Sequence, residues 1–222
     1  MAATTWFKDF DTHDKVLETS LKNVNTRVCF MLAAEPEFFV AEFREVMDKY
    51  PICFIAPKDF CFALCEFARH GKDQKDTCRH LGCIETVLGI VERFVPTWLD
   101  EHLGKTLRVE YACTVQMAFA ALANMTCDNE DNQQACLAKN GARILFRAME
   151  TFRNGPAAFV TPVCIALNNV VQDPSCKAIC KEFDQLVTDL IVKFKDGPTI
   201  GVANLVKLLY FMRSQDALQA FG

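Results

Sequence analysis

The chain has 222 residues, of which 51% are apolar and 23% charged, with a formal net charge of −4. This length and apolar content fit one or two globular domains or one short solenoid, and they exclude an intrinsically disordered chain. No basic block occurs, which argues against a nucleic-acid surface, and no apolar run is long enough to cross a bilayer.

The first residues carry Lys8, Asp9, Asp11 and Asp14 and lack the apolar core of a signal peptide. Twelve cysteines are therefore expected in a reducing, intracellular setting. Cytoplasm is the first expectation, with nucleus or cytoskeleton as alternatives. Most cysteines fall inside helical apolar stripes, as Cys61, Cys113, Cys164 and Cys180 do, where a free thiol packs as a small hydrophobe. Phenylalanine is plentiful (19) and tyrosine scarce (3), which favours helix-to-helix packing over an aromatic binding face.

From Asp14 to Leu32, the residues Leu17, Leu21, Val24, Val28 and Met31 recur at helical spacing above a polar face. Glu35-Pro36 opens a second helix with the stripe Phe39, Phe43, Val46 and Tyr50, and Pro51 ends it. Residues 1–56 read as an N-terminal helical cap or a diverged repeat. Pro57 begins a new unit, 57–95, and Pro96 is expected to break its last helix. A ten-residue insertion, 96–105, follows and carries Trp98, a candidate rim anchor or else a cover over exposed core.

The stretch from Ala112 to Phe152 reads as helix, polar loop, short helix, glycine, helix. Asp128-Asn129 can cap, Asn140-Gly141 stops the short helix, and Ile144, Leu145, Ala148, Met149 and Phe152 restart an apolar face. Three short helices cannot bury one another's apolar faces, so the unit needs neighbours. Degenerate copies supply them. Ala63-Leu64, Ala121-Leu122 and Ala166-Leu167 mark equivalent helices whose leucines lie 58 and 45 residues apart. In this alignment Gly82 stands for Gly141, and Asp184 replaces the glycine in the third copy. Thr161-Pro162 is expected to start a helix, and Asp173-Pro174 repeats that device. The units run about 57–95, 105–153 and 161–195, with an incomplete one at 199–222.

Ala-Leu-Ala-Asn-Met-Thr at 121–126, the polar run Cys127–Asn132, Asn140-Gly141-Ala142 and Ala166-Leu167-Asn168-Asn169-Val170 resemble the armadillo repeat. The resemblance, armadillo/HEAT-like in type, covers about residues 58 to 222 and is clearest over 112–194. It implies an all-α fold: a right-handed superhelix of about three to four repeats behind the N-terminal cap. It also implies a concave groove lined by the asparagine of the Ala-Leu-x-Asn helix, whose amide donates to and accepts from the backbone of an extended peptide. Asn124 and Asn169 match that position, Glu66 occupies it in the first unit, and Asn204 or Lys207 in the last. Import-type members bracket basic side chains with a tryptophan four residues earlier; Ala120, Ile165 and Ile200 stand there instead. The same asparagines can alternatively cap or bridge neighbouring helices.

Catalytic and metal chemistry finds little support. Cys61, Cys65, His70, Cys78, His80 and Cys83 cluster in sequence but lack the C-x2-C knuckle of structural zinc. No phosphate-binding glycine loop occurs, and the acidic run Asp128–Asp131 lacks the calcium-loop pattern, so it reads as a solvated inter-helix loop. No catalytic residue, metal or cofactor is expected. The reading is a non-enzymatic scaffold or adaptor that holds a peptide segment or helix of a protein partner. Its alternatives are a structural subunit of a cytoskeletal, axonemal or other assembly, and a co-chaperone or assembly factor. The last stripe, with Leu208 and Phe211, is the candidate end interface for a partner or for self-association, unless the array continues.

Overall fold

A computed structural model describes residues 27–51, 53–98, 105–155, 157–196 and 199–219. All regular structure among these residues is helical: α1 (27–34), α2 (Pro36–Lys49), α3 (Ile55–Ala68), α4 (Lys72–His80), α5 (Cys83–Trp98) and α6 (Lys105–Thr126). There follow α7 (Glu130–Ala138), α8 (Gly141–Thr151), α9 (Ala157–Val170), α10 (Lys177–Phe194) and α11 (Thr199–Gln219). Single 3-10 turns at Phe152–Asn154 and Pro174–Cys176 precede α9 and α10. No described helix is long and apolar enough to cross a membrane. The expected helix from Asp14 is seen only from residue 27. Its earlier part, most of the 96–105 insertion and Ala220–Gly222 lie outside the described residues.

Local chemistry sets many of these boundaries. Pro36 stands in the first turn of α2, where its missing N–H costs nothing. Asn129 caps α7 by accepting from the Asn132 N–H at 3.1 Å, and Asp173 caps the Pro174–Cys176 turn by accepting from Ser175 at 2.8 Å. Elsewhere packing overrides punctuation. Proline removes only one intrahelical bond, so α5 runs through Pro96 to Trp98, and α9 starts at Ala157 with Pro162 inside it. Val160, Val163, Cys164 and Leu167 are all buried along α9 and hold it as one helix.

The alignment around the glycines shifts by one. Asn140 takes the left-handed conformation (φ 57°) before α8, and Gly82 takes it (φ 67°) before α5. Gly82 is thus the counterpart of Asn140, not of Gly141. Asp184 replaces neither, because it sits in the middle of α10 and pairs with Arg213 at 2.8 Å. In the third unit the short helix has shrunk to the Pro174–Cys176 turn.

The helices stack in layers. α3 packs on α6, α6 on α9 and α9 on α11, and this inner row is matched by a second row in which α5 meets α8 and α8 meets α10. α4 touches α7, while the pairs α2–α3, α5–α6, α8–α9 and α10–α11 join the two rows. The marker leucines Leu64, Leu122 and Leu167 are all fully buried in the inner row. Phenylalanines stitch the layers, as composition suggests. Phe43 stacks on Phe60 at 3.7 Å between ring centroids, and Phe146 on Phe183 at 4.8 Å. Arg44 on α2 donates to the Leu81 and Gly82 carbonyls (2.6 and 3.0 Å), fastening α2 to the α4–α5 turn.

Among the described residues the buried polar atoms without a hydrogen-bond partner are Asp59 Oδ2, Arg79 Nε, Asn132 Oδ1 and Asn168 Oδ1, and Asp59 is the carboxylate among them. Asp59 on α3 is 6% exposed, and its Oδ2 accepts no hydrogen bond. Burial pushes its carboxyl up to about 6, with neighbouring Lys58 opposing. A carboxyl raised in the folded state contributes its stability below the unfolded value, and that contribution is lost as pH rises through about 6. Asp59→Asn should therefore raise stability by about 1 kcal/mol at pH 8 and by almost nothing at pH 4, since part of the burial cost stays with the amide. Urea melts at the two pH values test this, and equal effects at both would refute it.

Candidate functional site

The inner row α3–α6–α9–α11 presents the residues that sequence nominated as a binding groove. Asn124 and Asn169 are half-buried on α6 and α9. Asn124 Nδ2 donates to the Cys65 carbonyl (3.0 Å) and approaches Cys65 Sγ (3.1 Å) on α3. Asn169 Nδ2 repeats the contact one helix on, donating to the Ala123 carbonyl (2.9 Å) and to Thr126 Oγ1 (3.1 Å). Each asparagine thus spends both amide N–H groups on the preceding helix, one residue before the equivalent position there. The bridging role is what the geometry displays. The amide oxygens of both residues accept no bond among the described residues, so acceptors are what the row leaves available.

The ends of the row differ. Glu66, half-buried on α3, pairs with Arg69 at 3.1 Å. Burial pushes the Cys65 thiol up, the Glu66 charge adds to this, and Arg69 and the Asn124 N–H oppose it. Asn204 is half-buried on α11 and its carbonyl accepts from Asn168 Nδ2 at 3.2 Å, so it lies against α9. Lys207 is exposed, stands over the Phe211 ring, and its charge reaches Cys127 at the end of α6. Trp98 is the final residue of α5. At the far end Leu208 is fully buried and Phe211 half-buried, so Leu208 offers nothing to a partner; Val206 and Tyr210 are the large apolar side chains that α11 exposes among the described residues.

In the polar run after α6 the acidic side chains Asp128, Glu130 and Asp131 are exposed, as expected of a solvated stretch, but the asparagines are not. Asn129 and Asn132 are buried, and they help close a set of contacts around the C-terminal end of α6. A helix ends with carbonyls that have no intrahelical partner, and here side chains from other helices supply them. Asn132 Nδ2 donates to the Met125 carbonyl (2.8 Å) and to the Lys75 carbonyl (3.0 Å), while Gln133 Nε2 donates to Thr126 (2.9 Å). Lys75 of α4 donates to the Cys127 carbonyl at 2.6 Å, and Asn129 Nδ2 donates to Asp76 at 2.9 Å. That bond from Asn129, with a second from Lys72, holds the Asp76 carboxyl below its ordinary value. Sequence reading missed this node because it weighed the run for calcium and solvent. The available signal was the pair Asn129-x-x-Asn132, the spacing of a cap and the backbone N–H it receives.

Two clefts open on the other row. One of about 730 Å³ lies between α8 and α10, and one of about 540 Å³ between α5 and α8; Arg147 lines both. In the larger, Arg147, Arg153 and Lys193 face Glu150, Glu182 and Asp189, so neither charge sign prevails. Among the described residues no three histidine, cysteine or acidic side chains gather as metal ligands, and all described cysteines are free thiols. Burial pushes Cys136 and Cys180 up to about 12, which makes both poor nucleophiles. No family model, no curated protein and no solved structure matches the chain.

Proposed function

We propose that the chain is a protein-interaction module, built as a right-handed armadillo-like solenoid, whose inner row holds a segment of another protein. The observation that supports this most directly is the repeated bridge from Asn124 and Asn169. Each fixes its helix to the one before it and leaves its amide oxygen without a bond among the described residues. Together with the Glu66 carboxylate these oxygens make a line of acceptors, and an extended backbone or a basic helix supplies the matching donors. Met117 and Ile165, partly exposed on α6 and α9, add apolar contact on the same helices. Scaffold or adaptor work is the primary reading. The subunit-of-an-assembly reading gains from Val192, Val206 and Tyr210, which are exposed on the terminal helices.

Because Asn124 and Asn169 bridge helices, replacing them would alter stability as well as binding, so the test uses exposed positions. A photo-crosslinking residue placed at Ile165 or at Lys207 should capture a partner from native extract, which mass spectrometry then identifies. The same residue at Glu150, exposed on α8 in the other row, should capture far less. Equal capture at Glu150, or none at Ile165 and Lys207, would overturn the inner-row reading.

A further inference from the structure

The buried polar atoms that no protein group bonds among the described residues fall into two kinds. Asp59 Oδ2 and Asn168 Oδ1 are separate acceptors on α3 and α9, whereas Asn132 Oδ1 and Arg79 Nε belong to one contact, that of α7 with α4. These two are also complementary, an acceptor and a donor. Asn132 is 0% exposed, and its hydrogen bonds fix which way the amide faces. Nδ2 donates to the Met125 and Lys75 carbonyls (2.8 and 3.0 Å), and turning the amide over would set oxygen against two oxygens. Oδ1 therefore points away from those carbonyls.

Arg79 stands at the same seam. Lys75, whose carbonyl Asn132 reaches, lies one helical turn before Arg79 on α4, and a helical side chain leans back over the turn before its own. A second route runs through side chains. Arg79 Nη2 is 3.9 Å from Asp76 Oδ1, that carboxylate oxygen accepts from Asn129 Nδ2 (2.9 Å), and Asn129 Oδ1 accepts from the Asn132 N–H (3.1 Å). Both routes end at one asparagine. The ion pairs of Arg79 are long, 3.9 Å to Asp76 and 3.8 Å to Asp131, so neither carboxylate takes the Nε–H.

We propose that the α4–α7 seam is a binding site for one buried water molecule, which accepts from the Arg79 Nε–H and donates to Asn132 Oδ1. Its second O–H is directed at the Asp76 or Asp131 carboxylate, both of which lie beside Arg79 Nη2. That gives three polar partners, the usual number for an internal water. Charge selects water over an ion. The Arg79 guanidinium repels a cation, and the two carboxylates with the amide oxygen repel an anion. A small neutral molecule that both donates and accepts suits the pair. The water joins the short helix of the first unit to that of the second at nearly the strength of a direct bond. In the third unit the short helix is reduced to the Pro174–Cys176 turn, and there Gln134 Nε2 bonds Asp173 directly. The site stands independently of the inner-row reading, since it uses neither Asn124 nor Asn169.

The test follows the Asn132 side-chain amide by NMR in the full, isotope-labelled chain. A water that stays longer than the protein takes to tumble gives cross-peaks from the water frequency to the Asn132 amide protons. Their signs are opposite in laboratory-frame and rotating-frame Overhauser spectra, whereas proton exchange gives the same sign in both. The unmodified chain should show such cross-peaks. Arg79→Met keeps the length of the stem without a donor and should lose them, while the Asn132 amide shifts stay in place because the Met125 and Lys75 bonds remain. Arg79→Lys, which keeps the charge but not the Nε–H, should lose them as well and serves where the methionine variant does not fold. Lys72→Met removes an exposed neighbouring charge and should retain them. Absence of the cross-peaks in the unmodified chain overturns the proposal. Their survival in an Arg79 variant overturns it too, since other groups then hold the water. A crystal structure with Arg79 Nε bonded directly to Asn132 Oδ1 overturns it in favour of a direct bond.

Discussion

Asn132→Ala should destabilise the fold by about 3 kcal/mol, among the largest effects of any polar substitution in this chain. Asn132 is fully buried at the start of α7, and its Nδ2 serves two carbonyls that belong to different helices, Met125 of α6 and Lys75 of α4. Truncation takes the donor from the buried Met125 carbonyl and from the part-buried Lys75 carbonyl, at about 1–3 kcal/mol for each. Asn132→Asp should cost more at neutral pH, since it sets a charged acceptor against two carbonyl oxygens. Gln133→Ala, which frees only the partly buried Thr126 carbonyl, should cost about 1 kcal/mol. Denaturant unfolding of the three variants gives the order directly. If Asn132→Ala proves no worse than Gln133→Ala, the end of α6 is not the node described.

Gly141→Ala comes second, at about 2–3 kcal/mol, against the direction that helix propensity alone dictates. Gly141 is the first residue of α8, and a Cβ there would lie 2.7 Å from the Cys136 carbonyl oxygen and closer still to Cys136 Sγ. The carbonyl is backbone and cannot rotate away. Removing the thiol as well, in Gly141→Ala/Cys136→Ala, should therefore recover only part of the loss. Gly89 supplies the contrast: it is exposed on α5 and a Cβ meets nothing within 4 Å, so Gly89→Ala should stabilise by about 1 kcal/mol. Thermal melts of the Gly141 and Gly89 variants should shift in opposite directions, and a common direction would contradict the geometry.

Gly141 and Asn132 show how legibility varied along the chain. Asn140-Gly141 was readable as a stop, because a left-handed residue beside a glycine is a local matter of backbone sterics. That Gly82 corresponds to Asn140 was not readable, since the two units reach the same turn with different residues in adjacent positions. Likewise Pro96 and Pro162 look like breaks in sequence, and only the buried faces of α5 and α9 show why those helices continue.

By itself the sequence determined that the chain is helical, where the apolar stripes of α2, α3, α6 and α9 lie, that Leu64, Leu122 and Leu167 are core, and that Asn129 and Asp173 begin new turns. Those features depend on contacts within a few residues or on a period of 3.6, and both are written in order along the chain. Tertiary structure alone decided what each polar group faces. It turned Asn124 and Asn169 into bridges, drew Asn132 into the core, buried Leu208 while leaving Tyr210 exposed, and joined Arg213 to Asp184 across 29 positions. The physical reason is that a hydrogen bond or a buried face is set by which helix arrives alongside, and partners dozens of residues away leave no periodic trace in the sequence between them.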